Sequence, residues 1–383
     1  MHPSDSPPTS APSDKAARIS EACRDANLDA VIELATSNGG LLDDRLRREA
    51  WPILLGSANG RDRHHVDWTQ LEPHPDEEQV KLDVNRSFVY YPNDQSKEEL
   101  QTRKHELFEL IAQVLRRHPR LCYFQGYHDI VQVLLLVLGL ERAAPAVARL
   151  SLLRIRDFML PSLDASMSHL ELLPAILYAV DPVLCKHLSP TQPYFALAAT
   201  ITMYAHDIQE YGDIARLFDF LLAREAVISI YLFAVIILSR KEELMDIAQE
   251  DADMLHFTLS KMPSPLNLEA LISRTVEIFA AHPPETLPFR AWRPISPYSV
   301  LRTTRDSTNL SKQSLEDGEV LFAKQEVQLR RAKMIQAVIK GTKYRLWKYR
   351  RPMRGLGLAV AIGVLAWRVS AAAPGHDWSS LVA

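Results

Sequence analysis

A chain of 383 residues with 47% hydrophobic content is long enough for two domains, or for one large domain with tails, and it can bury a substantial core. Its 13 glycines argue against glycine-rich nucleotide-binding turns, and a net charge of −3 gives no general indication of a nucleic-acid partner. The three cysteines lack the spacing of a zinc site or a disulfide framework, and the first residues lack a secretory signal, so we predict a cytosolic main body.

Apolar residues that recur at three- and four-residue steps, with few β-branched runs, predict an all-α protein. Residues 1–14 are rich in Ser, Pro and Thr and are predicted to be a disordered leader. Residues 56–75 are polar and are predicted to be a loop. Helices are predicted over residues 15–26, 28–37, 45–54, 97–117, 130–140, 144–158, 168–180, 194–206, 214–223, 228–240, 244–259 and 268–281.

The C-terminal part of the chain changes in composition. Prolines at positions 283, 284, 288, 294 and 297 predict a linker over residues 283–313, and residues 314–349 are predicted to form one long charged helix. Residues 355–373 are apolar except for Arg368 and Ser370, which is about the length of a membrane span if Arg368 snorkels to the interface. Basic residues precede this segment, so the sequence predicts a transmembrane anchor with a cytoplasmic body and a lumenal tail over 374–383. A surface amphipathic helix or an apolar tail docked on the body stays open as an alternative.

Two short polar stretches stand out in the first half of the chain. In the first, Asp83 and Arg86 are three residues apart, so on one helical turn they share a face and can form an ion pair. The second, residues 121–130, joins two predicted helices. Gly126 interrupts helical continuity there, and Asp129 stands where the N-cap of the next helix is expected. Taken singly, a surface ion pair and an ordinary turn explain the two patterns.

Together, the two stretches resemble the signature of the TBC family, the Rab GTPase-activating proteins. That family shows I-x-x-D-x-x-R followed downstream by Y-x-Q-G. Four ordered elements are similar to its motifs: Leu46-Arg47 with Trp51-Pro52, Val80-x-x-Asp83-x-x-Arg86, Tyr123-Phe124-Gln125-Gly126, and residues 216–222 with Arg216 and Asp219. Val80 replaces the usual isoleucine and Ser87 the frequent threonine. The match covers about residues 38–282, and details at residues 127–131, 156–159 and 272–274 are similar to an endoplasmic-reticulum-anchored subgroup acting on Rabs of early secretory traffic.

The resemblance implies a TBC-type multi-helix domain over residues 15–282 that supplies catalytic groups to a Rab in its GTP form and has no hydrolase activity of its own. By motif position, Arg86 is the arginine finger and Gln125 is the glutamine finger that orients the attacking water. GTP and magnesium belong to the Rab, so no cofactor is expected. The implied supporting residues are Asp83, Asp129, Tyr123 and Gly126, and the implied structural residues are Arg47, Trp51, Arg216 and Asp219. The subgroup likeness implies a single-pass, tail-anchored protein of the endoplasmic reticulum membrane in ER-to-Golgi vesicle transport.

Other interpretations were weighed on the same residues. The histidines at positions 64, 65, 74 and 128 invite a metal hypothesis, but no H-E-x-x-H or Cys-x-x-Cys spacing accompanies them, so loop or core histidines are predicted and no metal site. The basic run 340–354 favours lipid headgroups over RNA because it adjoins the apolar segment. A catalytically inactive TBC-shaped scaffold, or a membrane tether using helix 314–349, is the non-enzymatic alternative. The presence of both finger residues argues against a pure binder.

Overall fold

The computed structural model of the chain describes residues 12–58, 67–92 and 95–372, and all regular secondary structure in these residues is helical. The chain divides into two compact units, Met1–Glu326 and Val327–Ala383. The α-helices in chain order are α1 (Pro12–Arg24), α2 (Leu28–Thr36), α3 (Asp44–Leu55), α4 (Glu77–Val84), α5 (Lys97–Arg117), α6 (Tyr127–Leu153), α7 (Asp164–Leu170), α8 (Leu172–Val180), α9 (Pro182–His187), α10 (Leu197–Ile201), α11 (Tyr211–Ala223), α12 (Ile228–Ser239), α13 (Lys241–Met245), α14 (Ala252–Leu259), α15 (Leu268–Ala281), α16 (Val300–Thr303), α17 (Ser307–Lys312) and α18 (Leu315–Ala372). Short 3₁₀ turns lie at Trp68–Gln70, Arg156–Met159, Pro193–Ala196, Pro284–Thr286 and Pro288–Arg290.

Helix α5 shows how local sequence sets an element. The Ser96 side chain accepts from the backbone N–H of Glu99 at 3.2 Å, and the Glu99 carboxylate accepts from the Ser96 N–H at 2.8 Å, so a complete capping box starts the helix. Leu107, Leu110 and Ile111 lie on its buried face. The predicted bounds of this helix, 97–117, are confirmed, as are the bounds 268–281 of α15.

Helix α6 is the central element of the core, and it begins differently from the prediction. Its N-cap is Gly126, with φ 100°, so the prediction that Asp129 caps this helix is wrong; Asp129 lies in the first turn. The predicted pair of helices over 130–140 and 144–158 is one element to Leu153, with a kink at Gly139 where φ is 71° and ψ is 163°. Among the described residues, α6 is long and apolar enough to cross a membrane by length and composition alone, and most of its apolar stretch is buried in the body.

The residues that the resemblance implies to be structural form a buried, hydrogen-bonded cluster on α11 and the elements packed against it. The carboxylate of Asp219 is fully buried and accepts from Arg47 Nε at 3.1 Å, from Trp51 Nε1 at 2.8 Å and from the backbone N–H of Leu41 at 3.0 Å. Burial raises the pKa of Asp219 above its ordinary value. A Cβ on Gly40, whose φ is +52°, would lie 2.6 Å from Asp219 Oδ2, so the chain needs glycine there.

Arg216 ties α11 to two further helices. Its Nε donates to Glu269 Oε1 on α15 at 2.6 Å, and its Nη1 donates to the carbonyl of Ala35 on α2 at 3.0 Å. The Glu269 carboxylate also accepts from the backbone N–H of Gly39 at 3.1 Å. Arg47, Trp51, Arg216 and Asp219 therefore hold α2, α3, α11 and α15 in register, which is a stabilising arrangement within the body.

Several predicted helices are interrupted in the structure. The predicted helix 168–180 is divided into α7 and α8, and 244–259 into α13 and α14, where Asp251 accepts from the Met254 N–H at 3.0 Å and caps a new start. The predicted helix 194–206 is a 3₁₀ turn followed by α10, which ends at Ile201; Met203 and Tyr204 beyond it have φ of 49° and 65°, which a right-handed helix excludes. Helix α1 begins at Pro12, inside the predicted leader 1–14, and residues 1–11 lie outside the described residues.

The segment 283–313, predicted to be a linker, packs on the body instead. Arg156 donates to the carbonyl of Tyr298 and to Thr303 Oγ1, and Thr304 Oγ1 accepts from the Ala226 N–H at 2.9 Å. The first turns of α18 are buried as well, at Leu315 and Phe322 among others. The compact body therefore extends to Glu326 and beyond the predicted boundary at 282. Buried apolar residues of the segment are Trp292, Ile295, Val300, Leu301 and Leu310.

The second unit consists of the remainder of α18, which is helical to Ala372. Most of the side chains described within it are exposed, including Met334, Val338 and Trp367. The predicted anchor over 355–373 falls almost entirely in this helix and stays a prediction. The predicted lumenal tail, 374–383, lies outside the described residues.

Candidate functional site

One hydrogen bond joins the two polar stretches. Asp83 lies in the last turn of α4, and Tyr123 lies in the segment between α5 and α6. The Tyr123 hydroxyl donates to Asp83 Oδ2 at 2.9 Å. Residues that are 40 positions apart in sequence therefore meet at one site.

Arg86 follows α4, and its side chain extends into solvent while the carboxylate that holds it is buried. Its Nη2 donates to Asp83 Oδ1 at 2.7 Å, and Gln79 Nε2 donates to the same oxygen at 3.0 Å. The Asp83 side chain is 2% exposed, whereas the Arg86 side chain is 69% exposed. A buried carboxylate thus fixes one edge of a guanidinium whose side chain is otherwise largely exposed. Such an arginine can deliver charge to a partner molecule without first losing its orientation.

The backbone that carries Arg86 is held from α6. The N–H of Phe88 donates to Gln132 Oε1 at 3.0 Å, and Phe88 is buried with φ of 60°. Lys104 of α5 donates to the carbonyl of Asn85 at 2.6 Å. The sequence interpretation missed Gln79, Lys104 and Gln132. Only Gln132 offers a signal in the sequence, because it is a polar residue within the apolar run 130–140.

Gln125 is exposed at the turn before α6, and within the described part of the chain its side chain makes no hydrogen bond. Its neighbours fix the turn: Tyr123 donates its N–H to Asp76 Oδ2 at 2.8 Å, and Phe124 packs against Tyr127 with ring centroids 5.7 Å apart. A Cβ on Gly126 would lie 2.5 Å from Thr202 Cγ2. The carboxamide is therefore presented by a rigid turn that only glycine can close.

Polar contacts continue from Tyr123 into the start of α6. The Tyr123 hydroxyl lies 3.0 Å from His128 Nδ1, and His128 Nε2 lies 3.3 Å from Asp129 Oδ1. Asp129 Oδ2 in turn lies 3.0 Å from His206 Nδ1. Burial, and then the charge of Asp83, raise the pKa of Tyr123, so its hydroxyl remains a donor. Burial lowers the pKa of His128, whereas the hydrogen bond to Asp129 raises the pKa of His206.

Large apolar side chains close to Arg86 in the sequence are exposed. Leu82, Val89 and Tyr90 are exposed over 56%, 71% and 43% of their area. Large apolar side chains grouped around a charged functional residue are typical of a protein-binding surface. A groove of about 1230 Å³ lies elsewhere, between α1, α3 and α6, and contains neither Arg86 nor Gln125. The arrangement at Arg86 therefore fits a macromolecular partner better than a small ligand.

The described residues contain no group of three or more His, Cys, Asp or Glu side chains placed to hold a metal ion. His74 is buried, and its Nδ1 accepts from the N–H of Asp76 at 3.2 Å. His128 belongs to the polar path described above. His64 and His65 lie outside the described residues.

A family model, described as the Rab-GTPase-TBC domain, matches residues 44–245. The chain belongs to the TBC family of Rab GTPase-activating proteins. It is 34% identical over 325 residues to the GTPase-activating protein gyp10 of Schizosaccharomyces pombe, covering 82% of this chain and 84% of that protein. It is 38% identical over 263 residues to TBC1 domain family member 20 of Homo sapiens, covering 67% of this chain and 64% of that protein. Its fold is similar to the crystal structure of the Ypt/Rab-GAP domain of Gyp1p, with a TM-score of 0.56 at 13% identity, covering 71% of this chain and 99% of that chain.

Within this TBC domain, the predicted site residues fall into two groups. Arg86, Asp83 and Tyr123 are in direct hydrogen-bonded contact, and Gln125, Gly126 and Asp129 lie on the same turn and helix start as Tyr123. The second group, around Asp219, is buried in the core and does not reach this surface. The family match covers both groups.

Proposed function

We propose that this TBC protein accelerates GTP hydrolysis by a Rab GTPase through two side chains, with Arg86 as the arginine finger and Gln125 as the glutamine finger. The observation that carries the proposal is an exposed guanidinium anchored on the buried Asp83, joined through Tyr123 to the turn that exposes Gln125. Both groups point away from the core of the body, as residues that act on another protein must.

The chemistry follows from the charge that develops during phosphoryl transfer. Hydrolysis of GTP on a GTPase is slow because the negative charge on the phosphoryl oxygens and the leaving group lacks a fixed positive partner. A planar guanidinium supplies that charge with several donors in fixed geometry, and a finger of this kind contributes about 10³–10⁵ in rate. The carboxamide of Gln125 would orient the attacking water. GTP and magnesium are bound by the Rab, and this chain supplies only side chains.

The test is single-turnover GTP hydrolysis by a panel of Rab proteins, with the full chain and with Arg86→Ala. We expect at least one Rab to be accelerated by the unchanged chain, and we expect Arg86→Ala and Arg86→Lys to lose nearly all of that acceleration, because lysine lacks the planar fork. The folded fraction should not change, since the Arg86 side chain is 69% exposed. Near-normal rates with Arg86→Ala would refute the finger assignment.

We further propose that the substrate is a Rab of early secretory, ER-to-Golgi traffic, and that the chain is held in the endoplasmic reticulum membrane by residues 355–373. This rests on the sequence: an apolar segment of modest length, suited to a thin bilayer, that follows a run of basic residues. Deletion of residues 354–383 should release the protein from membrane pellets without lowering the rate of GTP hydrolysis that it stimulates on the Rab. Persistent pelleting of the deleted form would contradict the anchor, and hydrolysis by other Rabs alone would contradict the assignment to early secretory traffic.

A further inference from the structure

The polar path behind the two fingers is continuous and mostly buried. It runs from Asp83 through the Tyr123 hydroxyl to His128 Nδ1 at 3.0 Å, and from His128 Nε2 to Asp129 Oδ1 at 3.3 Å. We call Asp83, Tyr123, His128 and Asp129 the relay. The side chains of Asp83 and His128 are 2% and 11% exposed, so solvent reaches these two groups little.

The positions of the protons in the relay decide which hydrogen bonds it can form. The Tyr123 hydroxyl has one proton and two neighbours, Asp83 Oδ2 and His128 Nδ1. The Asp83 carboxylate can only accept, and it already accepts from Arg86 and Gln79. The hydroxyl donates to Asp83 without a competing acceptor only when His128 Nδ1 carries a hydrogen and donates to the tyrosine oxygen. If Nδ1 is bare, it competes with Asp83 for that proton.

We infer that His128 is a positioning residue, whose Nδ1–H holds the Tyr123 hydroxyl toward Asp83 and thereby holds Asp83 toward Arg86. The inference rests on the proposed function for its kinetic consequences, although the hydrogen-bond direction itself does not depend on a Rab. The four signature elements do not include this histidine, which stands three residues after Gln125 in the stretch 127–131 that is similar to one subgroup.

Charged groups face His128 from each element around it. Asp129 lies beside it on α6, Asp83 and Arg86 belong to α4 and the turn after it, and His206 follows α10. When only Nδ1 is protonated, the lone pair of Nε2 faces the Asp129 carboxylate at 3.3 Å. A second proton turns that contact into an ion pair, and burial of the ring opposes it. The relay is complete in the Nδ1–H form and in the imidazolium, and acidification adds to the second.

The experiment compares two substitutions of His128 in the full chain in detergent micelles. In His128→Asn, the amide nitrogen occupies a place similar to Nδ1 and can still donate, but it cannot titrate. His128→Leu has no donor. We expect His128→Leu to lower kcat by about 5- to 10-fold with KM within about 2-fold, the scale of one lost hydrogen bond. We expect His128→Asn to retain most of kcat, because its amide can still donate to the Tyr123 oxygen.

The matched control is His105→Asn, which changes a histidine on α5 whose side chain is 70% exposed. It should leave both kinetic constants unchanged. A kcat for His128→Leu equal to that of the unchanged chain would overturn the inference. Equal losses for the asparagine and leucine variants, accompanied by equal drops in thermal stability, would overturn it as well, because they would mean a packing role only.

A second measurement separates this inference from the proposed function. The ¹⁵N chemical shifts of the His128 ring, recorded on the full chain without any Rab, report which nitrogen carries the proton. A protonated Nδ1 supports the relay, and a bare Nδ1 refutes it. Arg86→Ala in the same kinetic series tests the finger mechanism alone, so its failure is recognised whatever the result at His128.

Discussion

Arg86 and Gln125 are exposed, whereas Asp83, which holds Arg86, is buried. Removal of an exposed side chain changes the free energy of unfolding by no more than about 0.5 kcal/mol in most proteins. Substitution of Asp83 is different, because it leaves donors of Arg86, Gln79 and Tyr123 without their acceptor. Substitutions of Arg86 and Gln125 therefore test the proposed chemistry with little effect on stability, and substitutions of Asp83 affect both chemistry and stability.

Gln125→Ala should lower the rate of GTP hydrolysis that the chain stimulates on the Rab by about 100-fold, the scale of losing one group that acts only in the transition state. The physical reason is that the water would keep its freedom of orientation while Arg86 still supplied charge. Single-turnover hydrolysis at saturating activator measures the effect. Gln101→Ala, at an exposed glutamine on α5, is the matched control and should change nothing. A normal rate with Gln125→Ala would mean that the Rab itself holds the water.

Val89→Asp should raise KM for the Rab by about 10-fold and leave kcat nearly unchanged. Val89 is 71% exposed beside Arg86, and a carboxylate there would have to be desolvated against an apolar partner surface. Initial rates across a range of Rab concentrations separate the two constants. Val183→Asp, at a valine 63% exposed on α9, provides the comparison. The docking surface would be placed wrongly if both substitutions had the same effect on KM.

At the scale of elements, helices with strong local signals could be predicted from the sequence. α5 has a capping box and a clear apolar face, and its predicted bounds match the structure. The start of α6 could not be placed, because Asp129 has the chemistry of an N-cap while its carboxylate contacts His128 and His206 instead. The left-handed backbone of Gly126 takes the capping position, and it is favoured by a close approach to Thr202 that no local pattern reveals.

The candidate site was predictable from the sequence only in part. Arg86, Gln125 and Asp83 were singled out by their resemblance to the TBC signature, whereas their residue types alone fit an ordinary ion pair and a turn. Gln132 and His206 were not singled out, because each contacts a residue at least 44 positions away in sequence. Contacts of this kind depend on how helices pack, and a single sequence carries no direct record of them.

Element packing also makes a prediction about pH. Asp157, in the 3₁₀ turn after α6, is fully buried, and its Oδ2 lies 2.9 Å from His169 Nε2 while its Oδ1 accepts from the Val300 N–H at 3.1 Å. Burial opposes the charged form, but the hydrogen bond and charge of His169 outweigh it and lower the pKa of Asp157 to about 2 from 3.8. This carboxylate therefore stabilises the folded chain above about pH 4, and the contribution is lost as the pH falls toward 2.

Asp157→Asn should accordingly lower the free energy of unfolding by about 2 kcal/mol at neutral pH, and the difference from the unchanged chain should shrink as the pH is lowered toward 3. Urea unfolding at several pH values measures both quantities. Asp246→Asn, at an exposed residue after α13, serves as the control and should show little difference at any pH. A constant deficit for Asp157→Asn across the pH range would show that the charge of Asp157 is not what stabilises the fold.

At the scale of the whole molecule, residues 283–326 complete the body. The sequence prediction of a linker followed its prolines, which do end regular helices there. The sequence pattern does not reveal that apolar residues between and after the prolines are buried singly, without helical periodicity. Trp292, Ile295 and Leu301 are examples. The buried Arg156 depends on this segment, since its guanidinium donates to Tyr298 and Thr303.

A chain ending at residue 282 should therefore fail to form a stable body. A chain ending at residue 326 should be stable and should stimulate GTP hydrolysis by its Rab as the full chain does. Each large apolar side chain removed from the core costs about 1.5–3 kcal/mol of burial, and loss of several exceeds the roughly 5–15 kcal/mol that holds most domains together. The shorter form also loses the partners of Arg156, of His118, which lies 2.7 Å from Glu319, and of Arg120, which lies 2.6 Å from Glu326. Thermal unfolding and single-turnover GTP hydrolysis of the two forms, beside the full chain, measure the difference. Equal melting temperatures and rates for the two truncations would mean that the TBC domain is complete at 282 and that the packing of residues 283–326 adds nothing to it.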